Sequence, residues 1–339
     1  MMSQQFAFLR RNLNLSKFLQ MRLNSWLIRF LPFWLSRLYL MVLGRLYYCF
    51  KRKEKKLIEN TVDFVLGKKL SPRQLRRAKR QTFNGIFDHY HEKLYLAYTP
   101  FKRLGQFFAK KMRFDGEESL QAALALGKGA ILATGHFGAV EFLPAALAFK
   151  GYKVAIICRF QTSRLRDSLV ERAKQVDLEV IDSEKGNCLL TALRALKQGR
   201  IIITEADEFD EWKAKDDHQI TFLGARLDYD RALDILRKRS GAPVVSALVS
   251  RQNGGYALHL KTVAAATGTT QRVGEKCLEI LEEMCWALPT QWYQWKKFGK
   301  MITPQLEAVL AGAPQATNEI GLHCQYAYWA EYCRGPWRH

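Results

Sequence analysis

Ala130-Ile131-Leu132-Ala133-Thr134-Gly135-His136-Phe137-Gly138-Ala139-Val140-Glu141 is the stretch from which the rest of the chain is read. The apolar run Ala130 to Ala133 reads as a strand covered on both faces. Gly135 and Gly138 permit a sharp turn around His136. Val140–Phe149 then has the pattern of a helix. Strand, glycine turn and helix in this order are the building unit of an α/β domain. His136 and Glu141 stand five residues apart, which on one continuous helix would put them about 140° apart. They converge only if His136 lies in the turn and Glu141 on the first turns of the helix. A histidine oriented by a carboxylate is a general base for a hydroxyl nucleophile.

The pattern continues outward from this unit. Further strands are expected at Val154–Cys158, Glu179–Ile181, Arg200–Thr204, Val244–Val249 and Ala257–Val263. Helices are expected at Ser163–Gln175, Cys188–Gln198, Tyr229–Arg239 and Gln271–Leu288. This alternation predicts a mixed, largely parallel sheet covered by helices. Sites in such sheets gather at the carboxyl ends of the strands. His136 follows the first strand, Arg159 the second, and Glu205 and Asp207 the strand from Arg200. Upstream, residues 57 to 112 read as helical throughout, with Ser71-Pro72 as a start signal and Pro100 as a stop. Residues 301 to 339 show no regular pattern and are rich in aromatic residues.

The chain has 339 residues, 48% of them hydrophobic, and a net charge of +21. That apolar content excludes a disordered chain. Residues 1 to 112 carry 24 Lys and Arg against 5 Asp and Glu, while the remainder is nearly balanced. The basic segment calls for an anionic partner: lipid headgroups, an acidic carrier protein or nucleic acid. Ser25 to Phe50 is dominated by Leu, Phe, Trp and Tyr but interrupted by Arg29, Arg37 and Arg45. Three arginines favour a helix lying in the membrane interface over one that spans it, with a tilted span as the alternative. The basic cluster Lys51 to Lys56 follows directly, as expected of an anchor flanked by anionic lipid. No cleavable signal peptide is read at Met1 to Asn24. The seven cysteines contain no CxxC, so neither a disulfide framework nor a metal site is expected. The organisation expected is a basic, apolar anchor at 1–56, a catalytic domain at 57–300 and a tail at 301–339. Nucleic-acid binding is the reading from another class, disfavoured because the basic residues are interleaved with a strongly apolar helix and no recognised motif is present.

At this point the chain resembles the bacterial lipid A biosynthesis (lauroyl or myristoyl) acyltransferases, of the glycerolipid acyltransferase group with an H-x4-D/E motif. His136 and Glu141 match that motif. Ala155 to Arg159 fits the family's strand ending in arginine, and Ile201 to Glu208 fits its later strand, with Glu208 where the family prefers Gln. Phe222-Leu223-Gly224 and Gly241-Ala242-Pro243-Val244-Val245 match two further runs. Pro289 to Trp292 and Trp295 to Phe298 resemble its last segment, with lysine in place of a family histidine. The resemblance implies a membrane-associated enzyme on the cytoplasmic face of a bacterial inner membrane. It would move a fatty acyl chain from acyl carrier protein, with coenzyme A as the alternative donor, to a hydroxyl of a lipid A precursor or related glycolipid. Another lysolipid or glycolipid is the alternative acceptor. His136 would be the general base and Glu141 would hold its tautomer. Arg159 would bind an acceptor phosphate. Asp207, with Glu205, would order the site or bind the acceptor. The backbone N–H groups of the turn at Gly138 would bind the oxyanion. No metal or cofactor is implied beyond the acyl thioester co-substrate.

Overall fold

The computed structural model describes residues 15–310, apart from 161, 185, 210–217 and 266–271. The aromatic tail beyond 310, with His323, Cys324 and Cys333, lies outside the described residues, as do Asp210 and Glu211.

Seven strands form the central sheet in the order β1-β9-β8-β2-β5-β3-β4. They are β1 (Met112–Asp115), β2 (Ala130–Thr134), β3 (Val154–Cys158), β4 (Leu178–Asp182), β5 (Ile201–Glu205), β8 (Val244–Gln252) and β9 (Gly255–Ala264). All neighbours are parallel except the β8–β9 hairpin. β6 (Gln219–Phe222) and β7 (Ala225–Asp228) form a separate hairpin. The largely parallel sheet therefore agrees with the alternation read from the sequence.

β2 occupies the centre, and all five of its residues are buried. Its side chains alternate between two cores, as a pleated strand requires. Ala130 and Leu132 join one core, and Ile131 and Ala133 the other. Helices such as Cys188–Lys197 and Val273–Ala287 contribute to the second core. The first core takes in the long helix Pro72–Tyr98 and the N-terminal helices. Pro72–Tyr98 begins as expected, with Ser71 accepting from the Gln74 amide in a capping box.

Three expectations are corrected. The helical reading holds to Lys111, and β1, which was not read, begins at Met112, the last residue of that run, where Met112 to Asp115 extend alongside β9. The 140–149 segment begins as a tight 3-10 turn, Val140–Phe142, before the helix Leu143–Phe149. Thr303–Leu310 is helical, although no pattern was evident there.

The apolar segment at 25–50 divides into two helices, Arg22–Phe30 and Phe33–Phe50, with the break at Leu31-Pro32. Trp26, Phe30, Trp34, Leu38, Val42, Leu46 and Phe50 recur every fourth residue and are all exposed, by 48% to 67%. The helices thus carry a continuous apolar stripe on their outer side. No helix among the described residues is long and apolar enough to cross a membrane.

Candidate active site

The sheet order places β5 between β2 and β3, so the carboxyl ends of these strands adjoin. In register, Thr134 lies opposite Glu205. His136 leaves β2 two residues later and is held by residues distant in sequence. Its backbone N–H donates to Asp207 Oδ1 and Oδ2 at 3.0 and 3.1 Å. Its Nδ1 lies 2.9 Å from Asp207 Oδ1. Trp292 Nε1 donates to Asp207 Oδ2 at 2.8 Å. Asp207 is completely buried and His136 is 7% exposed. The carboxylate thus fixes both the backbone and the ring of the histidine. With Asp207 accepting from Nδ1–H, the free lone pair of a neutral imidazole is on Nε2.

Nε2 stands 3.4 Å from Glu205 and 3.3 Å from Glu208. Burial would lower the His136 pKa, but Glu205, Asp207 and Glu208 override it and hold the imidazole well above its ordinary value. Burial drives the Glu205 carboxyl up to about 7 against the pull of His136. Burial would also raise Glu208, but its bonds to His136 and Lys297 bring it down to about 2. His136, Glu205 and Glu208 each offer a ligand atom within 4.8 Å of the others, close enough to hold a metal ion. The Lys297 ammonium, bonded to Glu208, already supplies positive charge at that point.

The turn itself is clamped on both sides. The Phe137 amide donates to Gly135 O, Gly138 to Gln291 O and Ala139 to Val249 O. Gly138 has φ +56°, and a Cβ there would lie 1.7 Å from Val249 O, so only glycine fits. Its carbonyl accepts from Arg251 Nη2 at 2.6 Å. Arg251 in turn makes a two-pronged pair with the buried Glu92, at 2.7 and 2.8 Å. The amides of the turn are therefore committed within the protein, which corrects the expectation that they would receive an oxyanion.

Glu141 is the second correction. Its carboxylate makes no ion pair with His136. It lies 2.8 Å from Lys93 Nζ and 3.4 Å from His89 Nδ1, both on Pro72–Tyr98. A half-buried ammonium needs an anionic partner more than a histidine already served by Asp207 does. Burial would lower the Lys93 pKa, but Glu141 holds it above its ordinary value. Burial, reinforced by Lys93 and His136, keeps His89 well below its own. His89 stacks on Tyr293 at 3.5 Å, and the Tyr293 ring meets His136 edge-on at 5.1 Å.

A cavity of about 460 Å³ joins these groups. His136, Glu141, Arg159, Glu205, Glu208, Lys93 and Lys297 all line it. So do Leu96, Phe101, Leu104, Phe149, Leu165 and Leu178, which give it an apolar part suited to a hydrocarbon chain. Of the residues expected from sequence, Asp207 and Gly138 are not in the lining; they support the turn from behind.

Such a cavity pairs a carboxylate-bound histidine with apolar walls, as transfer of a lipid chain to a hydroxyl would need. The family model for bacterial lipid A biosynthesis acyltransferases matches residues 7–297. The chain belongs to this family. It is an acyltransferase, and the family's substrates are lipid A-like. A comparison with curated proteins found no match.

Two features of this acyltransferase site escaped sequence reasoning. His89, Glu92 and Lys93 lie at i, i+3 and i+4 on one helix, a polar cluster on an otherwise apolar-facing segment, and that spacing was the available signal. Trp292 and Lys297 were visible in the last resembling segment, but only the fold reveals that they contact Asp207 and Glu208.

Proposed function

We propose that this acyltransferase moves a fatty acyl chain from acyl carrier protein to a hydroxyl of a lipid A precursor or related glycolipid. His136 is the general base. The observation that carries the reading is the bond from His136 Nδ1 to the buried Asp207, which leaves Nε2 beside cavity-lining groups. Nε2 takes the acceptor's hydroxyl proton as the oxygen attacks the thioester carbonyl. The carbon–sulfur bond then breaks, and the departing thiolate takes the proton from His136. Asp207 fixes the tautomer and stabilises the imidazolium, as the acid of a catalytic triad does. The acceptor supplies its own nucleophile, so the reaction calls for no cofactor beyond the thioester.

Arg159 lines the cavity after β3, where a guanidinium suits an acceptor phosphate. The exposed apolar stripe from Trp26 to Phe50, with Arg22, Arg29 and Arg45 on the same two helices, suits immersion in the interface of an anionic bilayer. The enzyme then works at the cytoplasmic face of the bacterial inner membrane, and its basic N-terminal part attracts an acidic carrier protein.

The test is a mass-spectrometric acylation assay with the detergent-solubilised enzyme and acyl carrier protein loaded with several chain lengths. Acceptors are a lipid A precursor and a total lipid extract. A gain of one acyl chain on the precursor, absent with His136→Ala, is the expected result. A gain confined to other lipids in the extract would keep the chemistry and replace the acceptor. Transfer by a folded His136→Ala enzyme would overturn the mechanism.

A further inference from the structure

Attack on the thioester puts negative charge on the carbonyl oxygen, and that charge needs a preorganised partner. The amides of His136, Phe137, Gly138 and Ala139 all donate within the protein. The partner is therefore sought among the cavity's cationic side chains. Lys297 is bonded to Glu208, which itself touches His136. Its charge is spent on the carboxylate beside the base. Lys93 is as accessible as Lys297, 27% against 28%, and differs in its partner, a carboxylate that makes no ion pair with His136. It rises from Pro72–Tyr98 beside the site and lines the same cavity as His136. Its anchor is Glu141, on the tight turn that follows the histidine. The two ends of the H-x4-E motif thus deliver two groups to one cavity, a base directly and an ammonium through its counter-ion.

We propose that Lys93 is a further catalytic residue: its ammonium accepts the charge that develops on the thioester carbonyl oxygen, and Glu141 positions it. The proposal rests on the acyl-transfer reading above. As the acceptor oxygen bonds to the carbonyl carbon, the π-electron pair moves onto the oxygen beside Lys93. As the pair returns, the carbon–sulfur electrons leave with sulfur, which takes its proton from His136. Lys93 remains protonated throughout, so the step balances without a further reactant. Glu141 is then a positioning residue for the ammonium rather than for the imidazole.

The experiment compares wild type, Lys93→Met, Lys93→Arg and the uncharged pair Lys93→Met/Glu141→Gln in steady-state kinetics with lauroyl acyl carrier protein and a lipid A precursor. Removing one oxyanion partner costs about 10²- to 10³-fold in kcat. That loss is expected for Lys93→Met, with both KM values within about threefold, partial retention in Lys93→Arg and no recovery in the double variant. The double variant leaves no buried carboxylate unpaired, so it keeps the test available if Lys93→Met fails to fold. Recovery of the double variant to near wild-type kcat would make Lys93 a mere counter-ion and overturn the proposal. A rise confined to the acceptor KM would assign Lys93 to binding an acceptor anion and overturn it equally. A wild-type enzyme that transfers no acyl chain would overturn the functional reading and this proposal with it, whereas a His136-dependent wild type beside an unaffected Lys93→Met would overturn this proposal alone.

Discussion

His136 and Asp207, 71 residues apart, are joined twice: through the imidazole Nδ1 and through the histidine's own backbone N–H. One carboxylate therefore sets the rotamer, the tautomer and the local backbone of the base together. Because Asp207 also accepts from Trp292, it cannot rotate without breaking a third bond. A positioned base of this kind tolerates little displacement, and acyl transfer falls steeply when reacting atoms move by about 1 Å.

The pH dependence follows from the carboxylates around Nε2. His136 is held above its ordinary pKa, so the neutral base appears only as pH rises through that higher value. Activity should be lost as pH falls through it, on a limb displaced above the usual imidazole range of about 6.5. Glu205→Gln removes an anionic neighbour, which lowers the histidine's pKa and should move the limb to lower pH. A kcat/KM profile for both enzymes checks this, and an unmoved or upward-shifted limb would refute it.

Arg251 and Glu92 make the same kind of argument about the turn. Arg251→Met leaves the fully buried Glu92 unpaired, and breaking a buried pair costs about 3–5 kcal/mol. Replacing both partners, as Arg251→Met/Glu92→Leu, should restore most of that stability in thermal or denaturant unfolding. Activity should stay low, because the Gly138 carbonyl has lost its donor. Equal recovery of stability and kcat would show that the pair does not position the turn.

The exposed stripe yields a binding prediction. Burying one large apolar side chain contributes about 1.5–3 kcal/mol. Trp26→Ser/Phe30→Ser/Trp34→Ser should therefore weaken binding to anionic vesicles by at least about a hundredfold, given partial immersion. High salt alone should weaken wild-type binding much less. Vesicle sedimentation that leaves the triple variant bound as tightly as wild type would place the membrane contact elsewhere.

Much of this was readable along the chain, for identifiable reasons. β2 and β3 fall where expected because a doubly covered parallel strand is a continuous apolar run. Three strand-end groups, His136, Arg159 and Glu205, line one cavity because the sheet order makes β2, β5 and β3 neighbours. β1 was hidden because four residues following a basic helix carry too short a pattern. The β6–β7 hairpin was hidden because its turn uses Leu223 at φ +51°, a conformation that such a residue rarely adopts. The pairing within the site was hidden for a different reason. Spacing put Glu141 within reach of His136, but a lysine 43 residues upstream of the histidine competes for that carboxylate. Asp207, read only as an ordering or acceptor-binding residue, takes the histidine instead.

The most direct test of the account is the single-turnover rate of acyl transfer by Asp207→Asn, beside wild type, at saturating donor and acceptor. The amide keeps the shape of the carboxylate but carries no negative charge to stabilise an imidazolium, and its NH2 must replace an oxygen that accepts from either Nδ1–H or Trp292 Nε1–H, so a loss of about 10⁴-fold is expected from a folded enzyme. A rate within tenfold of wild type would contradict the assignment of His136 as a base oriented by Asp207.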